Sequence, residues 1–260
     1  MIRRLLAVDI GNTNVTVGFY ECDQLRHSWR FRTRDGMTED ELAVMFSSFM
    51  CLAQEGSWQS LQGVIISCVV PELQCVLRRF GEKYLDQPPL FVETGLRTGL
   101  TFVYPQPESI GADRIANAVA AHTIYGSPVI VVDFGTATTF TLVAQEGRFL
   151  GGLIAPGVRA MVEALFQRVP HLPRVEIAKP KDIIGGDTPQ SIQAGIYYGI
   201  LGLLEGTLCH IRNRFGGSSQ VRVVATGGFS GLWAKQSVQV DVVDDHLTLH
   251  GLRILYEYNT

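Results

Sequence analysis

The chain has 260 residues, 46% hydrophobic and 18% charged, with 22 basic and 25 acidic side chains and a formal charge of −3. That length exceeds the usual single domain and suggests two, and the composition excludes a disordered or fibrous chain. Basic and acidic residues are interspersed, which excludes the clustered Lys/Arg surface that nucleic acid requires, and no run approaches the roughly 20 apolar residues of a membrane span.

In chain order, Leu5 to Ile10 reads as a strand, the turn formers Gly11, Asn12, Thr13 and Asn14 follow, and Val15 to Tyr20 returns, a hairpin signal. Gln24 to Arg32 alternates as a third strand. Thr38-Glu39-Asp40-Glu41 has the form of a capping box before a helix that ends near Ala53. Val64 to Val70 is a short strand, Pro71 opens a helix that Gly81 can interrupt before Leu85, and Leu90 to Glu93 is a further strand. Thr94 to Ile110, rich in Gly, Pro and Thr, reads as a long surface connection close to a site.

A helix is expected from about Ala112 to Tyr125, then a strand from Pro128 to Asp133, a turn at Gly135 and a returning strand from Thr138 to Ala144. Residues 7–12, Ala-Val-Asp-Ile-Gly-Asn, superimpose on residues 131–136, Val-Val-Asp-Phe-Gly-Thr, so one acid-bearing hairpin is used twice. The remainder reads as a helix over Val158 to Val169, a Pro-rich loop and a long helix from about Thr188 to Phe215. A strand over Val221 to Ala225, the turn Thr226-Gly227-Gly228, a last strand over Val238 to Val243 and a closing helix over Leu247 to Tyr256 complete the chain.

A carboxylate at the end of a buried strand, followed by glycine and hydroxyl or amide residues in a tight turn, suits the polyphosphate tail of a nucleotide. Glycine lets the backbone approach, and turn N–H groups with Asn or Thr side chains donate to phosphate oxygens. Asp9 repels phosphate, so its role would be to hold a hydrated cation that bridges to it. No Walker-type G-x-x-x-x-G-K-[ST] and no G-x-G-x-x-G occur. Two acid-bearing hairpins and a third glycine turn at Thr226-Gly227-Gly228 for the nucleoside end resemble the superfamily of actin, sugar kinases and acetate kinases.

Four motifs make the resemblance specific, spanning Asp9 to Gly228. Asp9-x-Gly-Asn-Thr, Gly111-Ala112-Asp113-Arg114, Val132-Asp133-Phe-Gly-Thr-Ala and Gly185-Gly-Asp-Thr-Pro-Gln-Ser-Ile-Gln-Ala-Gly195 occur in the order seen in type III pantothenate kinases. The resemblance implies an α/β fold of two actin-like (ribonuclease H-like) domains with mixed sheets flanked by helices, taken as residues 1–115 and 116–260, with the last helix able to pack back on the first domain. It implies ATP-dependent phosphorylation of pantothenate to 4'-phosphopantothenate, with Mg2+ carried by ATP, a monovalent cation (K+ or NH4+) and a homodimer.

By the same resemblance Asp113 is the catalytic proton acceptor, and Tyr104, Gly111, Ala112, Arg114 and Thr188 contact pantothenate. Asp9, Gly11, Asn12, Thr13, Asn14 and Thr136 bind ATP, and Asp133 is the ligand of the monovalent cation. A carboxylate near the ordinary pKa is too weak to ionise an alcohol beforehand, so Asp113 would orient the hydroxyl and take its proton late, as a loose phosphoryl-transfer transition state permits. Arg114 offers a planar fork suited to a carboxylate. Asp187 stands where many relatives carry asparagine.

Five cysteines, Cys22, Cys51, Cys68, Cys75 and Cys209, are scattered without a metal-binding spacing, as in a reducing compartment. The apolar stretch near Leu5 is too short for a secretion signal, so a cytoplasmic protein without nucleic-acid or membrane partners is expected. The rival readings are another small-molecule kinase of the same superfamily, and a nucleotide-binding regulator without turnover, which would have no need of Asp113.

Overall fold

The computed structural model describes residues 4–56, 60–93, 95–215 and 221–260; Thr94, the first residue of the expected connection, lies outside them. β1 (Arg4–Ile10) and β2 (Asn14–Glu21) form an antiparallel hairpin in which Asp9 faces Thr16 and Ile10 faces Val15. β3 (Gln24–Arg32) pairs with β2 and alternates between exposed and half-buried residues, as an edge strand does. α1 (Glu39–Leu52) begins with the expected capping box: Glu41 N–H donates to Thr38 Oγ1 at 3.2 Å, and Thr38 N–H donates to Glu41 Oε2 at 2.8 Å.

β4 (Gly63–Cys68) lies parallel to β1, with α2 (Pro71–Tyr84) and the short β5 (Leu90–Phe91) after it, giving the strand order β3-β2-β1-β4-β5. α2 runs through Gly81 without a break. That residue faces Pro89, whose ring occupies the space a methyl would need, so glycine is there for packing and not to end the helix. β6 (Thr101–Phe102) and α3 (Ala112–Tyr125) follow.

The second half repeats the plan. β7 (Val129–Phe134), β8 (Ala137–Ala144) and β9 (Arg148–Pro156) form an antiparallel meander; α4 (Val158–Arg168) and α5 (Thr188–Arg214) precede β10 (Arg222–Thr226), which is parallel to β7. α6 (Ser230–Trp233) and β11 (Val242–Val243), parallel to β10, complete the order β11-β10-β7-β8-β9, the same arrangement as in the first sheet. β9 is an element the pattern did not disclose. Its register slips between Leu142 and Val143, leaving Leu150 as the extra residue of a bulge, and Gly152 lies so close to the Phe140 carbonyl that no side chain fits. The last strand is confined to two of its six expected residues, and Val238 is 97% exposed.

α7 (Leu247–Asn259) closes the chain. The described chain divides into two compact units, residues up to Ile124 with His246–Thr260, and Tyr125–Asp245. The break therefore falls at the end of α3, whereas a boundary at 115/116 would cut that helix. Its residues are held in the first unit by α7: Gly251 sits against the Ala116 backbone, and Thr248 Oγ1 donates to the buried Asn117 Oδ1 at 2.8 Å. Leu249, Leu252, Ile254 and Leu255 of α7 are buried as well, each contributing about 1.5–3 kcal/mol. Leu6, Val8, Ile10, Val64 and Ile66 pack with Phe46 and Phe80 in the core of the first unit. Ile130, Val132, Phe134 and Phe140 pack with Tyr197, Leu204 and Trp233 in that of the second.

Candidate active site

In the first unit the ends of β1 and β4 and the start of α3 come together. Asp9 is the penultimate residue of β1, half-buried, with Ser67 of β4 beside it in parallel register. The turn after it is closed by Gly11 N–H donating to the Asn14 carbonyl at 3.0 Å, and Asn12 and Thr13 are exposed on its outer side. Thr33 braces this turn from outside: its N–H donates to the Thr13 carbonyl at 3.1 Å and its hydroxyl to the Gly11 carbonyl at 2.6 Å. Cys68 donates its thiol to the Val70 carbonyl at 3.2 Å, and burial, reinforced by the charge of Asp9, raises its pKa. It is therefore a protonated, unreactive thiol.

Val69 N–H donates to the Ile10 carbonyl at 3.0 Å, which ties β4 to β1 where α3 arrives. A methyl group on Gly111 would stand 3.8 Å from Val69 Cγ1 and only 2.5 Å from Asp113 Oδ1, so the Asp113 carboxylate is folded back over Gly111. Glycine is required by that approach. Arg114 N–H donates to Asp113 Oδ1 at 2.8 Å. Burial raises the Asp113 pKa, against the lowering by the Arg114 N–H and by the guanidinium charge. Burial likewise lowers that of Arg114, opposed by the charge of Asp113, and Tyr104 lies near enough to Arg114 to interact with it. Ala112 is buried beneath them. Of the expected first-unit residues, Asp113, Gly111, Ala112, Arg114 and Tyr104 form one group, and Asp9 with Gly11–Asn14 form the adjoining turn.

In the second unit Asp133 holds the position of Asp9, penultimate in β7, with Gly135 N–H donating to the Ala137 carbonyl at 3.2 Å. Gly227, at φ +93°, brings its backbone against this turn: a methyl there would lie 2.5 Å from Asp133 Oδ1. Gly157, at the start of α4, lies against the carbonyls of Gly135 and Thr136. Thr136 is exposed at the tip. Beside Phe229, Arg159, Glu163, Phe166 and Arg174 line a recess of about 370 Å³, with the Arg159 guanidinium 5.6 Å over the Phe229 ring.

Thr188 belongs to another feature of this unit. It is exposed in the first turn of α5, at a largely apolar groove of about 760 Å³ that includes Met161, Leu165, Ile192 and Ile196. Asp187 is the N-cap of that helix, accepting from Gln190 N–H at 2.8 Å and from the Gln190 side-chain amide at 2.9 Å. An acid at this position is thus accounted for by capping, at a helix end that favours negative charge.

A model of the type III pantothenate kinase family matches residues 5–210. A relative from Brevibacillus brevis, named type III pantothenate kinase, is 46% identical over 255 residues, 98% of this chain and 99% of its own. This chain belongs to the type III pantothenate kinase family. Its fold is that of the actin-like ATPases and sugar kinases. Component A of the (R)-2-hydroxyglutaryl-CoA dehydratase of Acidaminococcus fermentans superimposes with a TM-score of 0.57 at 13% identity, over 98% of this chain and 97% of that one. A protein of Cytophaga hutchinsonii, provisionally assigned as a sugar kinase, superimposes with a TM-score of 0.50 at 13% identity, over 98% and 99%.

The geometry brings forward residues that motif reading passed over: Thr33, Ser67 and Gly157. None carries a local signal. Thr33 lies just beyond β3, Ser67 sits inside an apolar strand, and Gly157 follows a proline, so each is recognisable only once strand pairing puts it beside an acid-bearing turn. Among the described residues no three His, Cys, Asp or Glu side chains group as a metal site. The acidic turns instead offer single carboxylates among backbone carbonyls, an all-oxygen donor set that fits Mg2+ with its waters or a weakly held monovalent ion.

Proposed function

We propose that this chain transfers the γ-phosphoryl group of ATP to the primary hydroxyl of pantothenate, giving 4'-phosphopantothenate, the entry step of coenzyme A synthesis. The observation that carries the reading is the half-buried Asp113 carboxylate, folded over Gly111 and flanked by Arg114 at the ends of β1 and β4, in a member of this kinase family. Burial makes Asp113 a better proton acceptor than a solvated carboxylate. It orients the hydroxyl and receives the proton as the P–O bond forms, while positioning and charge neutralisation lower the barrier.

Arg114 pairs with the substrate carboxylate through its planar fork, and Tyr104, Gly111, Ala112 and Thr188 complete the pantothenate contacts. Asn12, Thr13 and Asn14 donate to phosphate oxygens, as Thr136 does from the second turn, and Gly11 contributes the close approach of the backbone. Asp9 holds hydrated Mg2+, and Asp133 holds K+ or NH4+; these ions neutralise the phosphates that both carboxylates would otherwise repel. The active form is a homodimer working in the cytoplasm. No helix among the described residues is long and apolar enough to cross a membrane.

The test is release of ADP by purified protein supplied with Mg-ATP and a panel of small alcohols, acids and sugars. Turnover that depends on pantothenate is expected. Turnover with another acceptor and none with pantothenate would overturn the assignment.

A further inference from the structure

Ser67 is entirely buried, and its hydroxyl has no hydrogen-bond partner. Such groups are few in folded proteins and they cost stability, so a serine at this position calls for a use that alanine could not serve. Its surroundings indicate the use. β1 and β4 are parallel with Asp9 level with Ser67, so the two side chains leave the sheet side by side on one face. Val8, Ile10, Ile66 and Cys68 occupy the opposite face and fill the core against α1 and α2.

The Asp9 and Ser67 face is the one α7 covers further along the strands. A methyl on Gly18, which pairs with Ala7, would meet Leu249, and one on Gly63, four residues before Ser67, would meet Tyr256. Beyond the end of β4, Val69 lies beside the turn that carries Asp113, its Cγ1 3.8 Å from where a methyl on Gly111 would stand. Ser67 therefore stands under the junction of the Asp9 turn and the Gly111–Asp113 turn, and not in the hydrocarbon interior.

We propose that Ser67 is a positioning residue of the nucleotide site, its hydroxyl rotating to donate to the Asp9 carboxylate when a cation and phosphates load that carboxylate. The turn is a rotation about one bond between staggered positions. By occupying one carboxylate oxygen, the hydroxyl determines which oxygen faces the cation. This rests on the reading of Asp9 as the cation-holding acid.

The experiment measures binding of Mg2+ with a non-hydrolysable ATP analogue, and separately of pantothenate, to wild type, Ser67→Ala, Asp9→Asn and the double variant by calorimetry, with thermal melts of each unliganded protein. Ser67→Ala is expected to melt at or above the wild-type temperature and to bind the analogue about 10- to 150-fold more weakly, the worth of a hydrogen bond to a charged group. Pantothenate affinity stays within twofold. The double variant binds no more weakly than Asp9→Asn, because the two residues act through one contact. Wild-type analogue binding by Ser67→Ala alongside weakened binding by Asp9→Asn sinks the role of Ser67 and leaves that of Asp9. Wild-type binding by Asp9→Asn sinks both. A lowered melting temperature in Ser67→Ala also overturns the proposal, since the hydroxyl would then be serving the fold.

Discussion

Gly111→Ala tests the geometry around Asp113 without touching its charge. The new methyl would lie 2.5 Å from Asp113 Oδ1, so the oxygen must withdraw by about 0.9 Å to reach the 3.4 Å at which ordinary contact begins. The same movement stretches the 2.8 Å bond from Arg114 N–H, so the carboxylate loses its aim as well as its place. A misplacement near 1 Å in a proton acceptor costs on the order of 100-fold, and that is the expected loss in kcat/KM for pantothenate, with KM for ATP within twofold. Gly111 also caps α3, its carbonyl accepting from Ile115 N–H at 3.1 Å. Alanine at such a cap costs about 0.5–1 kcal/mol, a fall of a few degrees in Tm that leaves the protein folded. Steady-state kinetics with a melt of the same preparation decides the matter. A variant within about threefold of wild-type kcat/KM would mean that the position of this oxygen does not govern turnover.

Asp113→Asn is expected to lower kcat by orders of magnitude while nucleotide affinity stays within a few-fold, read by single-turnover kinetics and calorimetry; unchanged turnover removes Asp113 from its role. Because burial raises the Asp113 pKa, its protonated form is the one the fold favours. Its contribution to stability is full below the ordinary carboxyl pKa and is lost as pH rises through the folded value. The asparagine variant should accordingly gain more Tm at pH 7 than at pH 4, and an equal change at both pH values refutes the buried-carboxylate account. The acid limb of the wild-type kcat profile should lie above the ordinary carboxylate range, and a limb at the solvated value would contradict the shift. Replacing K+ by Na+ should depress activity through Asp133, and equal rates in the two salts contradict the cation assignment.

Much of this architecture was legible where local chemistry decides conformation. The Thr38–Glu41 capping box is written in residues that fix their own neighbourhood, and the structure has it where the pattern expects it; the antiparallel pairs β1–β2 and β7–β8 likewise follow from short turns between apolar runs. β9 was not legible, because Gly151 and Gly152 look like loop residues until Phe140 is seen to need the space. The break at Ile124 was hidden for a similar reason: what holds α3 in the first unit is a hydrogen bond from Thr248 and a glycine at 251, more than a hundred residues away. The site divides in the same way. Asp9, Asp113 and Asp133 announce themselves through adjacent glycines, whereas Ser67 has meaning only through the register that sets it beside Asp9.

The most direct test of the central claim is to identify the phosphorylated product. After incubation with ATP, Mg2+, K+ and pantothenate, 31P NMR of the wild-type reaction should show a phosphomonoester on the primary hydroxyl of pantothenate, in amounts equal to the ADP formed, and the Asp113→Asn reaction should show none. ADP with free phosphate and no such ester would mean that the chain hydrolyses ATP without passing the phosphoryl group to this alcohol, and the account would fail.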